Sequence, residues 1–199
     1  LMALSILDIQ PGDEVIASPV SCLASNQPFV IKGVKVVWAD VNPATGSLCV
    51  EDVKNKITTK TKAIFHNHFC GFLGSINEIN QLAKQNGLWV VDDCIEAFGS
   101  KYQGKKAGNL GADLTVFSFQ TVRLPNTIDG AAISFSSKEL YEKAASKGSS
   151  SAQSYLGIMY YKGNGVRQDF KKAKELFGIA CDGGFQIGCE NYKILNQQG

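Results

Sequence analysis

The stretch "KAIFHNHFCGFLGSINEINQLAKQNGLWVVDD", Lys62 to Asp93, decides the fold class. Its opening "KAIFHNH" is a β-rich run, and "LWVVDD" at its end is a nearly continuous apolar one. Runs of this kind suit strands buried on both faces. Between them "SINEINQLAKQNG" (Ser75 to Gly87) carries apolar residues at helical spacing and closes on a glycine, as a helix end does. A strand, a helix and a second strand in that order argue for two parallel strands joined by a crossover helix.

The same alternation extends in both directions. "EVIASP", "VKVVWADV", "LTVFSF" and "AAISF" read as further strands, and a shorter helix is expected from Val50. The predicted class up to about Phe135 is therefore α/β with a mostly parallel sheet. After Ser136 no β-run appears, and Ser, Gly, Ala, Tyr and Lys dominate, with "KGNGVRQD" as a glycine-broken loop. This part reads as all-α, which sets the expected domains at residues 1–136 and 137–199. The helical part also repeats at an offset of 36 residues: Ala144 matches Ala180, Gly148 matches Gly184, and small residues recur at Ala152 and Gly188. That period is close to the roughly 34 residues of helix-pair solenoid units.

Composition bounds the function classes. The chain has 199 residues, 44% of them hydrophobic and 19% charged, with a net charge of +2 from scattered lysines and arginines. These values describe an ordinary globular protein and give no electrostatic footprint for nucleic acid. No apolar run approaches the roughly 20 residues of a membrane span. The first residues, "LMALSILDIQPGDEV", lack the basic flank and cleavage site of a signal peptide and begin inside a helical pattern, so upstream sequence is expected.

Several side chains invite a chemical reading. Asp93 ends a predicted strand, where an acid can simply be solvated or cap the next turn. His66 and His68 alternate on a strand and can share a face. Two histidines without further arranged ligands rarely make a metal site, and no metal is needed. Cys22, Cys49, Cys70 and Cys94 stand singly and read as small buried hydrophobes or spectators. Cys181 and Cys189, in "CDGGFQIGC", form a close pair.

Residues 1 to about 140 resemble the DegT/StrS-type PLP-dependent aminotransferases, which act mainly on nucleotide-linked keto-sugars. The resemblance is carried by "PGDEVIASPVSCLASNQPFVIKGVKVVWADVNPATGSLCVEDVKNKITTKTKAI" and "VVDDCIEAFGSKYQGKKAGNLGADLTVFSFQTV". It implies the large-domain fold of the aspartate aminotransferase class, cytoplasmic location and a homodimer with shared active sites. It also implies pyridoxal 5'-phosphate as cofactor, with nucleotide-sugar and amino-acid substrates. By this resemblance Asp93 faces the pyridine nitrogen, where a carboxylate keeps that nitrogen protonated. Ser118 takes a position associated with the cofactor phosphate. Cys22, in "SCLAS", falls where many relatives place an aromatic over the ring and a subgroup carries "TCLA"-like sequence. His68 corresponds to a family histidine near the cofactor. Glu96 departs from the Gln or His common in relatives and adds negative charge beside the cofactor.

The sharpest departure lies in "FSFQTVRLPNTIDGA", Phe117 to Ala131. Relatives carry a lysine where Arg123 stands and glycines where Ile128 and Ala131 stand, while Asp129 and Gly130 keep the pattern. Transamination needs an amine that can lose its proton, form a Schiff base and then act as a base. A guanidinium stays charged and is a poor nucleophile, though it can pair with phosphate or carboxylate. Transamination is therefore expected to be impaired or lost.

The tail resembles SEL-like repeats, relatives of tetratricopeptide repeats, through "AQSYLGIMYYKGNGVRQDFKKAKELFGIAC". The resemblance implies a helical array with Leu156, Tyr160, Phe170 and Leu176 in its core, and a protein-interaction module as the alternative function. Cys181 and Cys189 match a cysteine-rich secreted branch of those repeats in which such a pair bridges two helices. A disulfide needs an oxidising compartment, so reduced, helix-packing cysteines stay open as the other reading.

Overall fold

The computed structural model describes residues 1–123, 125 and 130–198, with only the backbone of 198. Ile128 and Asp129 lie outside the described residues. The chain divides into two compact units, Leu1–Ser136 and Ser137–Gly199.

The first unit is built on a sheet of six strands among the described residues. These are β1 (Glu14–Ala17), β2 (Lys35–Trp38), β3 (Thr61–Asn67), β4 (Trp89–Asp93), β7 (Leu114–Ser118) and β8 (Ala131–Phe135), in the order β2-β1-β3-β4-β7-β8. Neighbours are parallel from β2 to β7, and β8 runs antiparallel to β7. The expected mostly parallel α/β sheet is thus present. Between β4 and β7 lies a hairpin that its charged composition concealed, β5 (Lys101–Tyr102) and β6 (Lys105–Lys106). Its tight turn uses Gln103 and Gly104, both at positive φ.

Among the described residues this unit has the α-helices α1 (Met2–Ile6), α2 (Leu23–Ile31), α3 (Val50–Lys56) and α4 (Ile76–Asn86). In α4 the apolar spacing buries Ile76, Ile79, Leu82 and Ala83, and Gly87 ends the helix in the left-handed conformation that glycine adopts without strain. Ile79, Leu82 and Ala83 close a core with Ile16, Ile64 and Val90 from the sheet. The helix α2 contains Pro28, and its apolar residues do not form one stripe, so no periodic signal announced it.

The direction of winding changes at β1, because β2 lies to one side of it and β3 to the other. In open α/β sheets such a switch point leaves a crevice beyond the carboxyl ends of the strands, where ligands bind.

The second unit comprises α5 (Lys138–Ser146), α6 (Ser150–Lys162), α7 (Phe170–Asp182) and α8 (Gln186–Gln198). Ser137, Ser149 and Asp169 cap the first three, each side chain accepting a backbone N–H one turn on. The helices α6 and α8 begin and end 36 residues apart, and α5 and α7 end 36 apart. Gly148 and Gly184 both take positive φ between helices. Leu156 and Tyr160 are buried as expected, but Phe170 is 53% exposed and Leu176 only half-buried. The buried stripe of α7 is Ala173, Phe177 and Ala180, spaced by four and three residues, which puts Leu176 to its side. Cys181 and Cys189 are joined by a disulfide that ties α7 to α8.

Candidate active site

Strand alternation divides the end of β3 and β4 between two faces. Asn67 pairs in register with Asp93, and His66 with Asp92. On the first face Asp93 is 2% exposed, yet it lines a cavity of about 690 Å³ with Phe65, Val91, Val116 and Ser118 from the strand ends. Ala24, Ser25 and Pro28 of α2 form another wall of this cavity. It lies beyond the carboxyl ends of β3, β4 and β7, beside the switch point at β1.

The Asp93 carboxylate is held firmly. Ser25 Oγ donates to Oδ2 at 2.7 Å, Asn67 Nδ2 donates to the same oxygen at 2.8 Å, and the Ile95 amide donates to Oδ1 at 3.3 Å. Burial nevertheless pushes its pKa up from the ordinary value, against those three bonds and the nearby His68. A cationic N–H brought to this carboxylate would relieve that desolvation, which is what a protonated pyridine nitrogen offers. Ser25 and Asn67 were missed in the sequence. Asn67 was discoverable from the strand register opposite Asp93, whereas Ser25 needed a helix that the sequence did not announce.

Arg123 also lines the cavity. Its Nη1 donates to Glu96 Oε1 at 2.6 Å, and Glu96 Oε2 accepts the Cys70 amide at 2.8 Å. The two departures expected from the sequence therefore neutralise one another as an ion pair. Arg123 Nε is buried without a hydrogen-bond partner among the described residues and remains a spare donor. Ser118 Oγ lies at the end of β7, 3.5 Å from the Gln120 amide. Cys22 is exposed at the start of α2 and is not among the residues lining the cavity.

On the opposite face His66, His68 and Asp92 meet in the interior. Burial and the adjacent His68 ring push the His66 pKa well below its ordinary value.

The model of the DegT/DnrJ/EryC1/StrS aminotransferase family matches residues 1–180. The chain belongs to that family. The match runs past the roughly 140 residues over which the sequence resemblance was legible, and into α7. This DegT/DnrJ/EryC1/StrS chain is 38% identical over 142 residues to GDP-perosamine synthase of Escherichia coli O157:H7, covering 71% of the chain and 39% of that protein. Among solved structures it is similar to 3-amino-5-hydroxybenzoic acid synthase, with a TM-score of 0.70 and 31% identity over 74% of this chain and 39% of the other. It is similar as well to NtdA of Bacillus subtilis, solved with the bound cofactor PMP, with a TM-score of 0.65 and 29% identity over 72% of this chain and 32% of that one. The chain thus spans about two-fifths of the length of the curated relative and less than half of each structure.

Proposed function

We propose that residues 1–136 are the cofactor-facing part of a PLP-dependent sugar aminotransferase in which amino transfer is impaired or lost. The ancestral reaction moves an amino group from an amino acid to a nucleotide-linked keto-sugar, in a cytoplasmic homodimer. The observation that carries this reading is Arg123, which stands at the lysine position and lines the same cavity as Asp93 and Ser118.

Bound PLP supplies an electron sink for the carbanion chemistry of amino transfer. The residues present suit its pyridine end and not its aldehyde end. Asp93, held by Ser25 and Asn67, would keep the proton on the pyridine nitrogen. Ser118 and the free Arg123 Nε offer donors to phosphate oxygens. Nothing in Arg123 can replace the lysine amine as nucleophile or as proton carrier, because its guanidinium stays charged.

The test is to incubate the chain with PLP, reduce with borohydride and map adducts by mass spectrometry. The expected result is reversible PLP binding with no fixed adduct. An adduct fixed on any lysine facing the cavity would overturn the loss of covalent chemistry.

A second reading is supported by the 36-residue offset between α6 and α8, near the roughly 34 residues of tetratricopeptide-type helix pairs, to which SEL-like repeats are related. In it, residues 137–199 form a protein-interaction module. Partner capture that survives Asp93→Asn and Ser118→Ala, and is lost when those helices are removed, would favour it. Capture abolished by the two cavity substitutions would count against it.

A further inference from the structure

Behind the cavity, on the other face of β3 and β4, lie three side chains that the proposed aminotransferase reading does not use. His66 and Asp92 are 0% exposed and His68 is 1% exposed. Both ring nitrogens of each histidine and both oxygens of Asp92 lack a hydrogen-bond partner among the described residues. Six buried polar atoms without partners, one carboxylate among them, are costly to hold in an apolar interior.

The spacing of these atoms says what could satisfy them. Asp92 Oδ1 lies 3.4 Å from His68 Nε2 and 3.7 Å from His66 Nδ1. One ligand atom from each of the three residues falls within 4.8 Å of the others. Charge-assisted hydrogen bonds are shorter, about 2.7–2.9 Å. Two ligands held about 2.0–2.2 Å from a tetrahedral ion stand about 3.3–3.6 Å apart; the 3.4 Å separation falls in that range and the 3.7 Å one just beyond it. A single shared proton would serve one nitrogen and one oxygen and leave four atoms unsatisfied.

We propose that His66, His68 and Asp92 bind a divalent first-row transition ion of the zinc class. Two imidazoles and a carboxylate are the donor set such ions prefer, and three protein ligands leave a fourth position for water. The strand positions the site: His66 lies on β3, His68 follows immediately after its end, and the parallel register sets Asp92 beside His66. The buried thiol of Cys94 lies outside the three-residue group. The site does not depend on PLP.

The test uses the full chain, stripped with a chelator and reloaded with zinc or cobalt(II) alone. The expected results are about one zinc ion per chain by mass spectrometry of the metal, a higher thermal midpoint with zinc, and cobalt absorbance typical of nitrogen and oxygen ligands. His66→Gln, His68→Gln and Asp92→Asn should each lower zinc retention by ~10-fold or more, while Cys70→Ser and Cys94→Ser leave it unchanged. A parent chain that stays metal-free after reloading overturns the proposal, as does retention in all three ligand variants. Should those variants fail to fold by circular dichroism, the parent's cobalt spectrum decides: thiolate charge-transfer bands overturn the site, and their absence with imidazole-type bands supports it.

Discussion

At the residue scale, Arg123 and Glu96 have to be read together. A lysine placed alone at position 123 would sit where the guanidinium now pairs with Glu96. An adjacent carboxylate favours the charged ammonium and so withholds the free amine. Arg123→Lys is therefore expected to give little borohydride-fixed PLP, and Arg123→Lys with Glu96→Gln distinctly more, as read by the mass of the reduced chain. Breaking the pair by Arg123→Ala should cost no more than about 1 kcal/mol, because both partners are part-exposed. Asp93 yields a pH prediction. Its folded pKa is raised, so the folded chain holds that proton more tightly than the unfolded chain. The resulting stability is complete below the ordinary carboxylate range and is lost as pH rises through the raised value. Asp93→Asn should accordingly raise the thermal midpoint at neutral pH, with the gain fading as pH falls through the raised value and absent below about 4. The roles of Asp93 and Arg123 were open to proposal from the chain because both sit inside recognisable blocks. Asp92 was not, since its partners come from a neighbouring strand 24 to 26 residues away in sequence.

At the element scale, strands buried on both faces announced themselves as apolar runs, and α4 through its spacing and terminal glycine. The helix α2 and the β5–β6 hairpin did not, because Pro28 weakens a helical signal and lysine-rich strands carry no apolar alternation. The core of the helical unit was misassigned on α7 at Phe170, which is exposed, and at Leu176, where the packing selects the adjacent Phe177. That packing is tight. A Cβ on Gly157 would stand 2.7 Å from Phe177 Cε1. Alanine in a helix gains up to about 1 kcal/mol over glycine, whereas overpacking costs about 1–3 kcal/mol. Gly157→Ala should therefore destabilise, and Phe177→Ala should cost more, about 3–5 kcal/mol. Urea unfolding followed by circular dichroism would check both.

At the scale of the whole molecule, the boundary after Ser136 separates a sheet unit from a helical one, each with its own buried residues. The change of composition at that point was readable, while the disulfide was not: cysteine spacing alone cannot tell a bond from two packed thiols. Cys181 and Cys189 lie 8 residues apart. Closing so short a loop is worth about 2.5 kcal/mol in the chain-entropy estimate. Replacing both by serine should speed amide exchange within residues 137–199 and leave exchange in β3 and β4 unchanged. Among the described residues no helix is long and apolar enough to cross a membrane. The two faces of β4 carry one further implication, for folding fidelity. Its last four residues come in pairs, Val90 with Val91 and Asp92 with Asp93, so slipping by one residue still offers each face a valine and an aspartate. Slippage would exchange the contents of cavity and histidine cluster. The strand's own side chains are poor proofreaders of that error. Asp113 supplies the missing check: its carboxylate accepts the Val90 amide at 2.8 Å, and its own amide donates to the Val90 carbonyl at 3.0 Å. Correct alignment of the most chemically equipped strand is thus enforced by a residue outside it.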